Sequence, residues 1–564
     1  MKSLFFRKYS FLLPFLLVVL GAISGKLIAQ TPAGNSNQVT VNINHARLFE
    51  AVQQDGRSLN KLIGDVQLEQ GGTLFYCDSA YIDLAANNLE AFNNVRIIQP
   101  GGTEVSSDYL KYTGNTKVAF LRGNVHLLNG TDNLWCENLT YNTGTKIGTY
   151  DNGGTLQTVS TTLTSNTGWY NTRSKDARFT GDVLVSDTSY NVVSDDLGYN
   201  TATKVVLFYG PSVVKNDKSE LNTTSGFYDS KAEVAHFTKR SSVRSGAQYV
   251  EGDTLDYDRK TGNGIAKGKV KALDTAQKLT MWSNHAIVNE KTKTLLATQK
   301  PVLRKEGEKD TLYMRADTFF SATYSGVLEW QKTRRFPQIK TKIPENSKAK
   351  NRKAKAPVTD TTFALTDSST APTDTSHAFI GFHHVLVFSD SLQARCDSIS
   401  YTRRDSTLRL MKDPVAWSRQ SQITGDTLLM QNDSGTIRRV FVPNNAFVAS
   451  RTGPVKAAIF DQVQGKTLTG YFQNGEMTHI VVWPEAESIY YPKDDSGAYL
   501  GVNKATSERM TVLFGDGDLQ TILLESDVKQ KMMPLTGVNL SEMRLPRFIW
   551  REAERPLSVE EIFK

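Results

Sequence analysis

Several short groups of residues in this 564-residue sequence have types and spacings that could support chemistry. Gly465-Lys466-Thr467 resembles the end of a phosphate-binding loop, but the first glycine of that motif is missing because position 460 is Phe. Gly515-Asp516-Gly517-Asp518 resembles part of a calcium loop without its later carboxylates. His383 and His384 are adjacent, so in a strand they point to opposite faces and are not expected to share a metal ion. We interpret all of these as turns and strand residues, and predict no metal site and no cofactor.

Acidic residues recur along the first half of the chain and could be imagined as a catalytic row. They are Asp78, Asp108, Glu137, Asp195 and Asp253. An active site needs one group of unlike residues, whereas the same residue type at every repeat indicates a structural role at each. We therefore expect these acids at turns or on solvent faces, and predict no catalytic residue and no enzymatic activity.

These acids belong to a repeat of about 29 to 30 residues. Its phrase is acid-x-apolar-x-aromatic, and it occurs as Asp108-x-Leu110-x-Tyr112, Glu137-x-Leu139-x-Tyr141, Asp195-x-Leu197-x-Tyr199 and Asp253-x-Leu255-x-Tyr257. A second phrase, a turn residue followed by Val, lies between the copies, as in Gly123-Asn124-Val125. A fixed period of this length indicates stacked units that share one continuous core.

Within each unit the apolar residues alternate with a period of two. Leu110 and Tyr112 therefore lie on one side of an extended strand, and Val125 and Leu127 do the same in a second strand. Gly, Asn, Thr and Lys between them are typical of turns, as in Asn142-Thr143-Gly144. The sequence predicts an all-β, elongated antiparallel array of two-strand units of about 30 residues.

The order of these features along the chain divides it into regions. We predict a signal peptide at 1–29, β-repeats at 30–330, a disordered basic and Ser/Thr-rich linker at 331–378, a second β-region of the same kind at 379–530 and a C-terminal tail at 531–564. Lys2, Arg7 and Lys8 precede the apolar run that marks the signal peptide, with an uncleaved membrane anchor as the alternative. A short helix is expected around 559–563.

The distribution of charge excludes one class of partner. The net charge is +8, but ten lysines and arginines between 332 and 355 face only one acid there, Glu345. The predicted signal peptide is basic as well, so the remaining folded part is mildly acidic. We therefore predict no nucleic-acid partner. The three cysteines do not form a disulfide framework, and we interpret them as small buried residues.

The array offers a long apolar interior. The residues expected to line it are Val66, Leu68, Val95, Ile97, Leu110, Tyr112, Val125, Leu127, Leu139, Tyr141, Val183, Leu197, Tyr199, Leu255 and Tyr257. They could form the core of a closed sandwich. They could equally line a sheet folded into an open V, whose inner surface accepts acyl chains because each buried CH₂ group contributes roughly 0.8 kcal/mol.

Units of the form Gly-Asn-Val followed by Cys/Ser-Asp/Glu-x-Leu-x-Tyr-Asn/Asp, behind a predicted signal peptide, resemble the OstA/LptA family of lipopolysaccharide-export proteins. The resemblance is clearest over residues 40–330 and looser over 379–480, and it is close to the long OstA-like proteins of bacteroidete type. It implies a V-shaped β-jellyroll open at both ends, a periplasmic location with possible outer-membrane association, and docking of other export proteins through edge-strand pairing.

From residues and resemblance together we predict a carrier or bridge for lipopolysaccharide or a related lipid in outer-membrane assembly. The alternative is a secreted structural or adhesive β-repeat protein with a closed core. A polysaccharide-active β-solenoid enzyme is a third hypothesis, but it would need an exposed carboxylate cluster on one unit.

Overall fold

The computed structural model describes residues 41–54, 56–307, 310–333, 376–433, 436–473, 476–515 and 518–564. The predicted signal peptide and most of the predicted linker lie outside these residues. The described chain is almost entirely antiparallel β-strand, with two short α-helices and two 3₁₀ turns. The predicted all-β repeat array is confirmed.

The strands fall into three groups along the chain. The first group is β1 Asn42–His45, β2 Leu48–Gln54, β3 Arg57–Gln70, β4 Thr73–Asp83, β5 Asn88–Ile98, β6 Thr103–Thr113, β7 Val118–Asn129 and β8 Asp132–Asn142. The second group is β9 Ile147–Tyr150, β10 Gly154–Gln157, β11 Thr161–Ser165, β12 Thr167–Asn171, β13 Asp176–Asp187, β14 Asn191–Asn200, β15 Val205–Phe208, β16 Ser212–Lys215, β17 Ser219–Thr223, β18 Gly226–Asp229, β19 Val234–Phe237, β20 Ser241–Ser245, β21 Gln248–Gly252, β22 Thr254–Asp258, β23 Asn263–Asp274, β24 Leu279–Asn289, β25 Thr294–Thr298, β26 Val302–Glu306, β27 Thr311–Arg315 and β28 Thr318–Thr323.

Helix α1 Tyr324–Thr333 follows the second group, and helix α2 Val559–Phe563 lies near the C-terminus. The 3₁₀ turns are Val455–Ala457 and Glu552–Glu554. The third group of strands is β29 His377–Phe388, β30 Gln393–Thr402, β31 Thr407–Met411, β32 Val415–Ser418, β33 Ser421–Thr424, β34 Thr427–Asp433, β35 Thr436–Val442, β36 Ala446–Arg451, β37 Phe460–Gly465, β38 Thr467–Gln473, β39 Glu476–Trp483, β40 Ala486–Tyr490, β41 Val502–Ser507, β42 Arg509–Gly515, β43 Asp518–Glu525 and β44 Lys529–Met533.

Each long strand of the first group bends at a β-bulge near its middle. In β7 the pairing shifts between Arg122 and Val125, and the two residues between them, Gly123 and Asn124, have φ of +79° and +48°. Left-handed backbone of this kind favours Gly and Asn, which explains the recurring Gly-Asn and Gly-Asp pairs of the repeat. The bulges of successive strands form a line, called the fold line here, along which the sheet folds back on itself.

The fold line divides the sheet into two half-sheets. The tyrosine half-sheet contains the strand parts that carry the Leu-x-Tyr phrase, such as 138–142 of β8, and the valine half-sheet contains those that carry the Val-x-Leu phrase, such as 125–129 of β7. From residue 147 most passes are split into two strands, so that β9 pairs with the tyrosine part of β8 and β10 with its valine part. A repeat unit therefore has two passes, as predicted, but each long strand belongs to both half-sheets.

Alternate side chains of both half-sheets point into the space between them and form one long core. The array continues from the second group of strands into the third, because β27 and β28 both pair with β29. At its first end β1 and β2 pair with β3. At its other end β43 pairs with β42 and β44 pairs with β41.

The C-terminal tail returns along the outer face of the valine half-sheet. The side-chain amide of Gln462 donates to the carbonyl of Met543 at 2.9 Å, and its oxygen accepts from the backbone N–H of Leu545 at 2.9 Å. Gln422 makes the same pair of bonds to Ile549 and Arg551, each at 2.7 Å. These glutamines replace the strand pairing that the tail itself lacks, and thereby fix it to the array.

Candidate functional site

Three of the five recurring acids, Asp78, Asp108 and Asp253, stabilise the fold line through their side chains. Asp78 Oδ2 accepts a hydrogen bond from Asn94 Nδ2 at 2.9 Å, and Asp108 Oδ2 accepts one from Asn124 Nδ2 at 2.8 Å. Asp253 accepts from Arg240 at 3.0 Å. In each case the acid holds a residue at or beside the bulge, which gives the repetition a structural reason.

The residues predicted to line the interior all lie on its inner face, and most are fully buried. The following are at most 3% exposed: Val66, Leu68, Val95, Ile97, Leu110, Tyr112, Val125, Leu127, Leu139, Tyr141, Val183, Leu197 and Tyr199. Leu255 is 7% exposed and Tyr257 is 36% exposed. The interior is therefore packed against itself over the first part of the array and becomes accessible near Tyr257. Lipid contact by these residues stays a prediction.

The two half-sheets meet at the fold line and are open on the opposite side, called the mouth here, whose two edges are called the lips. Tyrosine hydroxyls close the mouth in this first part of the array. The Tyr112 hydroxyl donates to Gln70 Oε1 at 2.6 Å, and the Tyr141 hydroxyl donates to Gln99 Oε1 at 2.7 Å. Each bond joins the outer lip of the tyrosine half-sheet to the outer lip of the valine half-sheet. Burial raises the pKa of both tyrosines, so their hydroxyls keep the proton that they donate.

In the next repeat the position of Gln70 and Gln99 holds Asn129, whose side-chain amide donates to the Tyr170 hydroxyl at 3.0 Å, and an acid at the start of β8 accepts the proton of that hydroxyl. Asp132 is 5% exposed and accepts hydrogen bonds from the Tyr170 hydroxyl at 2.7 Å, Thr201 Oγ1 at 2.7 Å and Lys175 Nζ at 3.2 Å. Lys146 reinforces the preceding repeat in the same way, because its Nζ donates to Gln99 Oε1 at 2.7 Å. We call these three bridges, at Tyr112, Tyr141 and Tyr170, the clasp.

In the repeats that follow Tyr170, the corresponding tyrosines no longer form a strong hydrogen bond across the mouth. The Tyr199 hydroxyl is 3.5 Å from Thr161 Oγ1, which is a weak contact. Tyr228 meets the ring of Tyr190 edge-on, with 6.3 Å between the ring centroids. Tyr257 turns away from the mouth, and its hydroxyl donates to Glu290 Oε2 on its own half-sheet at 2.7 Å.

Beyond the clasp the interior strip of the valine half-sheet is only partly buried. It consists of residues that lie directly opposite one another on successive strands: Val214, Leu221, Val243, Val250 and Ala272. All five pack against the core but remain partly exposed. The corresponding strip of the tyrosine half-sheet contains Tyr228, Ala235, Tyr257 and Leu295. We call these two strips together the window.

Cations stand on the rim of the window. Lys231, Lys260 and Lys291 occupy equivalent positions in three successive turns of the tyrosine half-sheet, and all are exposed. Lys260 Nζ donates to the carbonyl of Lys231 at 3.4 Å, and Lys291 Nζ donates to the carbonyl of Lys260. This row, called the lysine file here, begins where the clasp has ended; the same turn position holds Asn115, Gly144, Arg173 and Ala202 in the preceding repeats.

Sequence reasoning found the interior face but missed the window. Val214, Leu221, Val243 and Val250 follow the same alternation as the buried residues, so the pattern alone does not separate them. Part of the signal lay in the facing lip, where Gln70, Gln99 and Asp132 give way to the short residues Ser219 and Ser245, although Gln248 follows them. A short side chain there cannot reach the tyrosine of the other half-sheet.

The remaining candidate motifs have structural roles in the described residues. Gly465-Lys466-Thr467 is the turn between β37 and β38. His383 and His384 lie at the fold line of β29 and bond separate acids, Asp397 at 2.7 Å and Asp317 at 2.8 Å. Positions 516 and 517 lie outside the described residues. Within the described part of the chain, no group of three or more His, Cys, Asp or Glu is arranged to hold a metal ion.

A cavity of about 400 Å³ lies outside the window, where the end of the tail meets the valine half-sheet. Trp282 and Phe563 form part of its wall, with ring centroids 5.3 Å apart. Arg240 also lines it, but its charge is paired with Glu251 at 2.9 Å and Asp253 at 3.0 Å. Among the described residues, neither helix is long and apolar enough to span a membrane.

Comparison with known proteins gives a match for part of the chain. A family model described as OstA-like protein matches residues 38–195. No curated protein matches the chain. The resemblance to OstA-like proteins is thereby confirmed, and the matched residues include the three clasp tyrosines, Tyr112, Tyr141 and Tyr170.

Fifteen chains of solved structures also match. One is the crystal structure of LptH from Pseudomonas aeruginosa, described as the LptA-homologous periplasmic component of the conserved lipopolysaccharide transport device. It is 14% identical, and the match covers 25% of this chain and 95% of that chain with a TM-score of 0.20. At that score the match adds nothing to the family assignment.

Proposed function

We propose, from the OstA-like region of this chain, that the protein is a periplasmic carrier or bridge for lipopolysaccharide or a related lipid in outer-membrane assembly, and that acyl chains bind in the window. The observation that carries the proposal is the partly exposed apolar strip from Val214 to Ala272, which follows a first part of the array whose interior is almost fully buried. Apolar side chains that line an interior but remain in contact with water are stabilised when another apolar surface covers them.

Acyl chains supply enough binding energy for such a site. Each CH₂ group removed from water contributes roughly 0.8 kcal/mol, so ten groups in contact with the window would contribute on the order of 8 kcal/mol before the cost of ordering the chain. A carrier of this kind needs no catalytic group. We accordingly propose that the protein acts without catalysis, which agrees with the structural use of its recurring acids at the fold line.

The lysine file suits the headgroup of an anionic lipid. Lys231, Lys260 and Lys291 are exposed on the rim beside the window, and an ammonium group that donates one hydrogen bond to a carbonyl retains two further protons. Phosphate oxygens are strong acceptors for such donors. An acyl chain in the window and an anionic headgroup at the file would together distinguish lipopolysaccharide-like lipids from neutral ones.

Both ends of the array suit the docking of other export proteins. β2 leaves one edge towards solvent, and Leu48 and Phe49 on it are 47% and 54% exposed. β43 forms the edge at the other end, where Leu519 and Leu523 are 36% and 49% exposed. An edge strand with exposed apolar side chains is a template for pairing with a strand of another protein.

A closed structural or adhesive protein remains the second candidate, because the clasped residues up to Thr201 have a dry, self-packed interior. That candidate predicts no lipid binding anywhere along the array. The two candidates therefore differ in a property of the window alone.

Photo-crosslinking of the full chain tests the proposal. A photoreactive amino acid at Val250 faces the window, and the same amino acid at neighbouring Glu251 faces outwards and serves as the matched control. With vesicles that contain lipopolysaccharide, we expect lipid adducts at position 250 and far fewer at position 251. Equal adducts at both positions, or none at position 250, would contradict lipid binding in the window.

A further inference from the structure

The clasp and the window divide the interior into two segments with opposite accessibility. We propose that the clasp sets the boundary of the lipid path: its hydroxyl bridges exclude acyl chains from the interior between β3 and β14, so that lipid enters sideways at the window. This inference rests on the proposed function of the window, and it assigns Gln70, Gln99 and Asp132 the role of residues that determine where lipid can bind.

Each bridge spans the route that an acyl chain would need. Tyr141 stands on the lip of the tyrosine half-sheet, and Gln99 stands on the opposite lip, with only 2.7 Å between hydroxyl and amide oxygen. Both side chains are buried, at 0% and 3% exposed. A chain that passed between them would break this bond and leave the buried hydroxyl of Tyr141 with only its 3.4 Å contact to Thr172 Oγ1, which is unfavourable in apolar surroundings.

Neighbouring bridges leave little space between them along the array. Successive clasp tyrosines are 29 residues apart, which corresponds to two strands of the half-sheet, or roughly 10 Å. Buried Ala119 and Ala177 lie directly opposite Tyr141 and Tyr199 on the adjoining strands, so each ring lies beside a small residue. Lysines from the turns of this segment occupy the space between neighbouring bridges. Lys146 donates to Gln99, and Lys175 donates to Asp132.

Where the bridge is absent, the tyrosine at the same repeat position is accessible to solvent. Tyr257 has the same place in its repeat as Tyr141, yet its hydroxyl bonds Glu290 on its own half-sheet and its side chain is 36% exposed. The facing lip there carries Ser219 and Ser245, with exposed Gln248 opposite Ser245. Accessibility of the interior thus follows the presence of a bridge between the two lips, because the tyrosine itself is present in both cases.

Two buried cysteines make the boundary measurable without lipid. Cys77 lies on β4 within the clasped segment and is 6% exposed, and Cys396 lies on β30 outside it and is 4% exposed. Burial raises the pKa of each thiol to about 12, so both react slowly with maleimides unless the interior opens. Cys396 therefore serves as an internal control for opening near Cys77.

The test uses the full chain with Gln70→Ala and Gln99→Ala combined, which removes two lip partners and leaves the tyrosines in place. Gln248→Ala is the matched control, because Gln248 lies exposed on the same lip at the window. Maleimide labelling of Cys77 should rise about 25-fold in the double variant, with Cys396 unchanged, because two bridges are lost and each is worth a factor of about five. No rise at Cys77, or an equal rise at both thiols, would overturn the proposal.

A diazirine-bearing fatty acid supplies the second readout. In the unsubstituted protein we expect adducts in peptides of β16–β25 and none in peptides of β5–β8; in the double variant, adducts should extend into β5–β8. Adducts in β5–β8 of the unsubstituted protein would overturn the boundary. If no peptide of any variant is labelled, the proposed lipid binding fails, and the thiol measurement still decides whether the clasp keeps the interior closed.

Discussion

At the scale of single residues, one repeated tyrosine has three environments. Tyr141 bridges the two half-sheets through Gln99, Tyr228 stacks its ring edge-on against Tyr190, and Tyr257 bonds Glu290 beside it. The residue type is constant, and the partner on the opposite lip changes. The function of a repeat position in such an array is therefore determined by a residue about 40 positions away in the sequence.

Tyr141→Phe tests the contribution of one bridge. The substitution keeps the buried ring and removes the hydroxyl, while Gln99 retains its bond from Lys146. We expect a loss of about 1 kcal/mol in the free energy of local opening, measured by hydrogen exchange of the amides of β7 and β8. Tyr257→Phe is the control. It should change the free energy of local opening very little, because water can take the place of the exposed hydroxyl as the donor to Glu290. Equal losses in both variants would contradict a special role of the bridge.

Asp461 predicts a dependence of stability on pH. Burial raises its pKa from 3.8 to about 7, although the N–H of Tyr491 and the charge of Lys493 both act to lower it. Because the folded state holds this proton more tightly than the unfolded state, the resulting stability is present at low pH and is lost as the pH rises from about 4 through about 7.

Asp461→Asn should remove this dependence, because an amide keeps an acceptor for the Tyr491 N–H without carrying charge. We expect the variant to be more stable than the unsubstituted protein by about 2 kcal/mol at pH 8 and to differ little at pH 4. Thermal unfolding at both pH values measures the effect, with exposed Asp495→Asn as the control. A stabilisation of equal size at both pH values would refute the explanation.

At the scale of elements, two glutamines hold the C-terminal tail to the array together with ion pairs such as that of Arg551 with Asp413 at 2.8 Å. Gln462 and Gln422 each pair with the backbone of the tail in both directions. Aromatic contacts add to this, as between Phe460 and Phe548, whose ring centroids are 5.1 Å apart. The tail covers the outer face of the strands that precede it, and helix α2 carries Phe563 as far as Trp282.

Gln462→Ala should loosen the tail locally. The change leaves the backbone N–H of buried Leu545 without its partner, at a cost of about 1–3 kcal/mol, and removes one of the two donors to the carbonyl of Met543, which keeps its bond from Arg544. We expect faster proteolysis within 535–564 and unchanged protection of β3–β8. Gln248→Ala, at an exposed position, provides the comparison. Uniform loss of protection along the chain would indicate general destabilisation instead.

The elements were predictable from the sequence to different degrees. Alternation of period two gave the strands, whereas the Gly-Asn and Gly-Asp pairs, expected to form turns, form the bulges within long strands. The bending of one long strand across both half-sheets was not predictable, because a bulge preserves the alternation on each side of it. The tail was expected to pack, and a helix was expected near Val559–Phe563, but the pairing with Gln422 and Gln462 has no local signal.

The candidate site was predictable only in part for a similar reason. Side-chain direction follows from the alternation, so Leu110, Tyr112 and Val125 were placed on the inner face. Exposure depends on whether the two lips meet, and that depends on contacts between residues far apart in the chain. Val250 and Leu127 therefore look alike in sequence, although one is partly exposed and the other fully buried.

At the scale of the whole molecule, the array combines a closed first part, an open window and two free edges. The clasp stiffens the part that begins the array, and the window with its lysine file lies in the middle of the chain. The third group of strands extends the same sheet towards the edge at β43. This arrangement suits a bridge that receives lipid from the side and is held at its ends by other proteins.

Electron paramagnetic resonance on the full chain tests the central claim most directly. A nitroxide at Val243 reports from the window, and one at Arg244 reports from the outer face of the same strand. On addition of lipopolysaccharide, we predict strong immobilisation at position 243 and an unchanged spectrum at position 244. An unchanged spectrum at position 243, or equal immobilisation at both positions, would contradict lipid binding in the window.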